Sequence, residues 1–245
     1  MRFQFLKLAQ GIAMVCSMLA AAGAEAAEMC APDIANATQL VVVTTKSLND
    51  VKATIRLFER ANPAHEWTSR GPAGAAVVGK AGMAWPWSDA SAPKAEPRKK
   101  EGDSRTPIGI FRIGRPFGLA ASTLPGYIKL EKGQTICVDD PESINYNRIL
   151  PKAEAGKDRG EDMGAEPLYK HGLVIDFASS ASARGGSCIF IHIWRASDKG
   201  TAGCVAMPEP VMADLQNWVK PGAHIAILPE SAKARFAACL PKEVR

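Results

Sequence analysis

The chain is predicted to be mainly β, a single-domain sandwich or barrel with one or two short helices. Three observations predict this. Short β-branched or alternating apolar runs recur from Leu40 to Leu228. Gly, Pro, Asn and Asp punctuate them as turns. A helical apolar face is clear in one stretch, residues 208–219. Many short strands beside one clear helix favour sheet packed on sheet, or a sheet closed on itself.

The N-terminus reads as a processing segment. Arg2 and Lys7 precede an apolar stretch interrupted by Gln10 and Ser17, and small residues follow as Ala22-Gly23-Ala24-Glu25-Ala26. That is the layout of a secretory signal, with cleavage expected after Ala26 or, alternatively, Ala24. The apolar run is shorter than the roughly 20 residues that a spanning helix needs. Cys16 lies inside it, but Met14-Val15 is a poor lipidation context. No other stretch is long and apolar enough to cross a bilayer, so the processed chain is expected to keep no stable membrane span. The expected division is a signal peptide at 1–26, an N-terminal segment at 27–37, one domain at 38–230 and a C-terminal tail at 231–245. The location expected is exported, periplasmic or cell-envelope.

The mature part of about 219 residues is enough for one domain with a real core. Its formal charge falls from +5 to about +4 when Arg2, Lys7 and Glu25 are removed. This mild basic excess suits an anionic polymer. No basic block is interleaved with aromatics, which argues against a nucleic-acid partner.

Residues 40–45 form a β-branched run and read as the first strand. Residues 53–57 alternate and read as the second, and 75–80 as the third. Residues 91–102, rich in Pro, Ala, Lys and Glu, read as a surface loop. Thr106-Pro107-Ile108-Gly109-Ile110-Phe111 reads as a turn entering a strand. Residues 127–130 and 134–138 are expected to pair through a Lys132-Gly133 turn. Residues 151–170, charged and rich in Gly and Pro, read as a long loop of the kind that forms lids. Residues 173–177 and 188–194 read as strands joined by a linker containing Gly185-Gly186. The helix follows, with Val211, Met212, Leu215, Trp218 and Val219 on one face and Pro208 or Pro210 in its first turn. Residues 224–228 read as the last strand.

Cysteine arithmetic singles out a thiol. Processing leaves Cys30, Cys137, Cys188, Cys204 and Cys239, an odd number in an exported chain. The pairing expected is Cys30 with Cys239, clamping the ends, and Cys137 with Cys188, joining two strands. Cys204 is then free. It sits in Thr201-Ala202-Gly203-Cys204-Val205, and His192 precedes it at the end of the apolar run Ser187-Cys188-Ile189-Phe190-Ile191-His192. A thiol attacks as thiolate, and an imidazole can take its proton. Gly203 permits close backbone approach to a substrate. Together they read as a covalent acyl-transfer site. Zinc is not expected, since no C-x-x-C pair or H-x-x-x-H helix is present, and no other cofactor is implied.

His192 followed by Thr201-Ala202-Gly203-Cys204 resembles the signature of YkuD-type L,D-transpeptidases. Thr106-Pro107-Ile108-Gly109-Ile110-Phe111 is similar to that family's Thr-Pro-x-Gly-x-Phe segment. Asp139-Asp140-Pro141 with Tyr146-Asn147 is similar to a segment of one branch. The resemblance covers about residues 38–230. The chain departs from the pattern at Ala206, where many members carry Arg, and at Ala202, where many carry His. Arg105, Arg112, Arg184 or Arg195 is a candidate to replace that Arg, and a backbone carbonyl is a candidate to orient His192.

The resemblance implies acyl transfer on peptidoglycan stem peptides. Cys204 is the implied nucleophile and His192 its base. The backbone N–H groups of Gly203 and Cys204 are the candidate oxyanion donors. Terminal D-Ala leaves, and a second stem completes a 3–3 cross-link. Candidate substrate contacts are Thr201, Arg105, Asp140, Tyr146, Asn147, His171 and Trp194. Alternatives are a cysteine-dependent peptidoglycan hydrolase, acting as carboxypeptidase or endopeptidase, and a non-catalytic peptidoglycan-binding module. A cell-wall-linked protein is a further co-substrate that the resemblance allows.

Overall fold

In the computed structural model, which describes residues 34–245, the run of Val and Thr after Leu40 forms β1 (Gln39–Thr45). The alternating run that follows forms β2 (Lys52–Glu59). The predicted signal and Cys30 lie outside the described residues. Short strands β3 (Thr68–Ser69), β4 (Gly74–Val77), β5 (Met83–Ala84) and β6 (Thr106–Pro107) lead to the long β7 (Gly109–Gly118). β8 (Ile128–Lys129), β9 (Thr135–Val138) and β10 (Ile149–Pro151) follow. Next come helix α1 (Lys152–Ala155), β11 (Gly160–Asp162), β12 (Gly172–Ile175) and β13 (Phe190–Ile193). The chain ends through β14 (Val205–Met207), helix α2 (Glu209–Trp218) and β15 (His224–Pro229).

Eight strands close on themselves in the order β1-β15-β7-β12-β13-β14-β4-β2, with β2 returning to pair antiparallel with β1. The predicted sandwich or barrel is therefore a closed β-barrel. β1 and β15 lie parallel, with Leu40 opposite His224. Both are buried along nearly their whole length, so both faces are covered and both read as continuous apolar runs. Closure also removes the open edges that would otherwise invite pairing with other chains.

Two layers cover the barrel. Helix α2 packs on β12, β13 and β14, with Met212 and Leu215 fully buried and Val211, Trp218 and Val219 partly so. Gln216 is buried on the same helix and donates to the carbonyls of Phe117 (2.8 Å) and Gly172 (2.7 Å), tying α2 to β7 and β12. The stretch expected as a tail packs onto β15 through a 3-10 helix, Glu230–Phe236, and buries Phe236, Leu240 and Val244 in the main core. Among the described residues, no helix is long and apolar enough to cross a membrane.

Two expectations are corrected. Residues 127–130 and 134–138 do not pair with each other. β8 runs parallel to the end of β7, whereas β9 is the centre of a separate sheet, β10-β9-β11. All four β9 residues are buried between its neighbours, a setting that a two-stranded hairpin does not offer. Residues 151–170 are not a structureless loop. They contain α1, β11 and two 3-10 turns, and they carry Tyr169 into a buried aromatic cluster with Phe117 and Phe190.

Candidate active site

The site is built where β13 runs parallel to β14, with Ile191 opposite Val205 and His192 opposite Ala206. His192 therefore leaves the sheet beside the turn that delivers Cys204. Both residues line a cleft of about 780 Å3. Tyr169 packs edge-on against the His192 ring at 5.2 Å between centroids.

His192 is 8% exposed, and its Nδ1 lies 2.7 Å from the Ile193 carbonyl. A carbonyl only accepts, so Nδ1 carries the proton and the neutral ring presents Nε2 as a base. The orienting group is thus a backbone carbonyl. Burial holds the imidazole down at about 4, although the Ile193 carbonyl and the Glu166 charge favour the cation.

Cys204 is free, 6% exposed, and held by two contacts. The Phe190 N–H donates to Sγ at 3.3 Å, and the thiol faces the Cys188 carbonyl at 3.5 Å. Among the described residues, no hydrogen bond joins Sγ to His192. Burial pushes the thiol up to about 12, against the opposing effect of the Phe190 amide. The resting pair is therefore neutral thiol and neutral imidazole, not thiolate and imidazolium.

Two hydroxyls fix the Cys204 peptide. Thr201 donates to the Cys204 carbonyl at 2.6 Å and Thr106 at 3.2 Å. Each hydroxyl also accepts a backbone N–H, Thr201 from Gly203 (3.0 Å) and Thr106 from Gly79 (2.8 Å). Gly203 has φ 149°, and a Cβ there would lie 3.1 Å from the Arg105 carbonyl, so the turn is closed to larger residues. Because its N–H is taken by Thr201, Gly203 does not offer the free oxyanion donor expected of it. The Cys204 amide is the remaining candidate of the two.

The structure divides the other expected contacts. Thr201 and Trp194 line the cleft. Arg105 does not: its guanidinium bonds Asn49 Oδ1 and the Met83 carbonyl, each at 3.0 Å. Asp140 faces Arg159 (3.1 Å) and takes the Glu142 N–H in a turn. Tyr146 donates to Glu101 at 2.5 Å, behind the cleft wall, and burial pushes its phenol up to about 12. Asn147 stands in left-handed backbone (φ 63°), accepts the Cys188 N–H (2.9 Å) and donates to the Phe177 carbonyl (3.1 Å). His171 meets Gln216 Oε1 at 3.3 Å beside α2. None of these five lines the cleft. Of the alternative arginines, Arg184 pairs with Glu142 at the surface, while Arg195 lines the cleft.

Several cleft residues were not singled out from the sequence. Lys99 and Glu101 belong to the stretch read as a surface loop, and Glu161, Glu166 and Tyr169 to the stretch read as a lid. The Tyr169 hydroxyl donates to Glu161 (2.9 Å), whose carboxyl is raised by burial. The dense charge of Lys99-Lys100-Glu101-Gly102-Asp103, shortly before Thr106, was the available signal.

Cysteine pairing agrees where it is described. Cys137 on β9 is bonded to Cys188, just before β13. Cys239 is also disulfide-bonded, and the Cys30 expected opposite it lies outside the described residues. Among the described residues, no group of three or more His, Cys, Asp or Glu side chains is arranged to hold a metal ion.

Residues 49–227 match the YkuD family, the L,D-transpeptidase catalytic domain. The chain belongs to the YkuD family. The family match spans most of the barrel, from the turn before β2 into β15. No curated protein matches the chain. Among solved structures, an Enterococcus faecium L,D-transpeptidase, crystallised as a Cys-to-Ser mutant, aligns at 11% identity with a TM-score of 0.32. The alignment covers 78% of this chain and 49% of that one, so this YkuD chain spans about half the length of that protein.

Proposed function

We propose that this YkuD-family chain is a peptidoglycan L,D-transpeptidase that forms 3–3 cross-links through a thioester on Cys204. One observation carries the reading. The free thiol shares a cleft with an imidazole whose Nδ1–H is bonded to the Ile193 carbonyl, which leaves Nε2 to take a proton.

The chemistry starts from the neutral pair. As a stem carbonyl enters, the Cys204 proton passes to His192 Nε2 while the Sγ–carbon bond forms. The negative charge then resides on the carbonyl oxygen, where the Cys204 amide is the candidate donor. His192 returns the proton to the departing D-Ala nitrogen as the carbon–nitrogen bond breaks. An amine of a second stem attacks the thioester, gives up its proton to Nε2, and Cys204 leaves as the thiol. Trp194, Thr201 and Arg195 stand on the cleft wall where a stem would lie. Arg195 is exposed and makes no hydrogen bond or ion pair among the described residues, so its guanidinium is available to a stem carboxylate. The predicted signal and the odd cysteine count support an exported, cell-envelope location. A cell-wall-linked protein supplying the amine fits the same chemistry.

The test is incubation of the mature protein with purified tetrapeptide muropeptides, with products read by mass spectrometry. Wild type should release D-Ala and accumulate 3–3 dimers, and Cys204→Ala should form none. Equal dimer formation by both proteins would overturn the proposal. Trimmed stems without dimers would assign a hydrolase instead.

A further inference from the structure

Lys99 is an unusual wall residue for a cleft. Lysine is almost never fully buried unless paired, yet Lys99 is only 2% exposed. It lines the same cleft as Cys204, where the other cations, Lys80, Arg195 and Lys199, are exposed. Its backbone is pinned by the Lys99 N–H to the Trp85 carbonyl at 2.7 Å. Its ammonium donates to Asp103 Oδ1 (2.6 Å) and to the Lys100 carbonyl (2.8 Å). Three N–H bonds are available on an ammonium, so one remains.

Asp103 does not exist merely to neutralise it. The same carboxylate accepts the Lys100 N–H (2.7 Å) and the Arg105 N–H (2.9 Å), so it is a turn anchor whose charge is shared among three donors. Gly186 completes the cradle. It has φ 95°, and a Cβ there would stand 2.8 Å from Lys99 Nζ, so the bare Cα lets the ammonium lie against the strap leading to Cys188 without either giving way. The Cys188 carbonyl at the end of that strap faces the thiol. The Lys99 charge also favours the thiolate of Cys204.

We propose that Lys99 is the specificity-determining cation of this cleft: a fixed, water-excluded ammonium that takes a carboxylate of the substrate beside Cys204. It differs from Arg195 in burial, and therefore in its response to salt, because exposed charges are screened and buried ones much less so. The assignment deepens the proposed function by naming what holds an anionic stem, and it rests on Cys204 being the nucleophile.

The test needs no peptidoglycan. Alkylation of Cys204 in the mature protein is followed by peptide mass mapping with iodoacetate, an anion, and iodoacetamide, its neutral counterpart. The rate ratio of iodoacetate to iodoacetamide reports a fixed positive charge at the thiol. In Lys99→Met the ratio should fall about tenfold, as expected for losing one nearby charge at partial screening, and Lys99→Arg should retain most of it. The fall should persist in molar salt, whereas any fall in Arg195→Ala should vanish there. An unchanged ratio in folded Lys99→Met would overturn the assignment and leave the proposed transpeptidase standing. Should the buried neutral thiol be inert to both reagents, binding of N-acetylglycine measured by calorimetry decides: wild type should bind it in molar salt and Lys99→Met should not, and equal binding by the two would overturn the assignment and leave the proposed transpeptidase standing.

Should Lys99→Met not fold, wild type alone decides. N-acetylglycine should slow iodoacetamide labelling of Cys204 in molar salt, and N-acetylglycinamide should not. Equal protection by the two would sink the proposal.

Discussion

At the scale of single residues, the site depends on hydroxyls more than on the charged groups that first draw attention. The Cys204 carbonyl is held by both Thr201 and Thr106, and each hydroxyl also satisfies a backbone amide. Thr106→Val keeps the shape and removes both bonds, leaving the Gly79 N–H without its partner in a fully buried setting. Orphaning a buried polar group costs about 1–3 kcal/mol. Thr106→Val should therefore lower unfolding free energy by about that amount in urea titrations. Thr201→Val, in a more open position, should cost less. Both variants should slow formation of the Cys204 adduct. A Thr106→Val protein as stable and as reactive as wild type would show that this clamp is idle. The sequence made the thiol and the imidazole legible because reactive residue types stood in a short recognisable spacing. Tyr146 and Asn147, expected as substrate contacts, stand outside the cleft lining and bond to the protein instead, because polar residues in a turn look alike in sequence whether they face a ligand or hold the chain. Only the fold reveals that the Asn147 side chain is consumed by Cys188 and Phe177.

At the scale of elements, the strap before β13 is the device that matters. Cys188 has φ 55°, left-handed backbone that a non-Gly residue enters at a cost of about 1–3 kcal/mol. Two restraints hold it there: the Asn147 side chain on its N–H and the disulfide to Cys137 on β9. The reward is a carbonyl aimed at the Cys204 thiol. A bridge between residues 51 apart in sequence should contribute about 2–4 kcal/mol. The double variant Cys137→Ala, Cys188→Ala should lose that stability. It should also lose acyl transfer by more than it loses iodoacetamide labelling, because access to sulfur survives when its alignment does not. Parallel decline of the two rates would mean that the disulfide serves stability alone.

Elements of this kind are legible to different degrees. β1, β2, β12, β13, α2 and β15 were readable because β-branching or a helical apolar stripe marks them locally. β9 was found, but its partners were not. Its neighbours β10 and β11 lie beyond a turn and inside a charged stretch, and no local pattern announces such pairings.

At the scale of the whole molecule, closure of the barrel depends on β1 pairing at once with β2 and with β15, nearly the full described chain away. That contact was not legible in the sequence. The site's two ionisable groups are buried across the barrel from it, Cys204 in a second cluster with Phe117, Tyr169 and Phe190, and His192 against Tyr169. Their burial sets a pH dependence whose sign follows from linkage. His192 titrates near 6.5 when unfolded and at about 4 when folded. Between those values the unfolded chain binds the extra proton, so stability falls as pH falls through that window. Cys204 moves the other way, from 9.0 to about 12. Above 9.0 the unfolded chain sheds a proton that the folded chain keeps, so stability falls as pH rises. Each group contributes a slope of at most about 1.4 kcal/mol per pH unit. Tyr146, also raised to about 12, steepens the alkaline side further. Together these groups place the plateau between 6.5 and 9.0. Urea titrations from about pH 4 to about pH 10.5 should give Cys204→Ala a shallower alkaline decline than wild type, while the acid decline stays unchanged. Identical alkaline slopes would mean that the folded thiol ionises as readily as a free one. A steeper alkaline decline in Cys204→Ala than in wild type would mean that the folded thiol ionises more readily than a free one, and the neutral start of the proposed reaction would have to be abandoned.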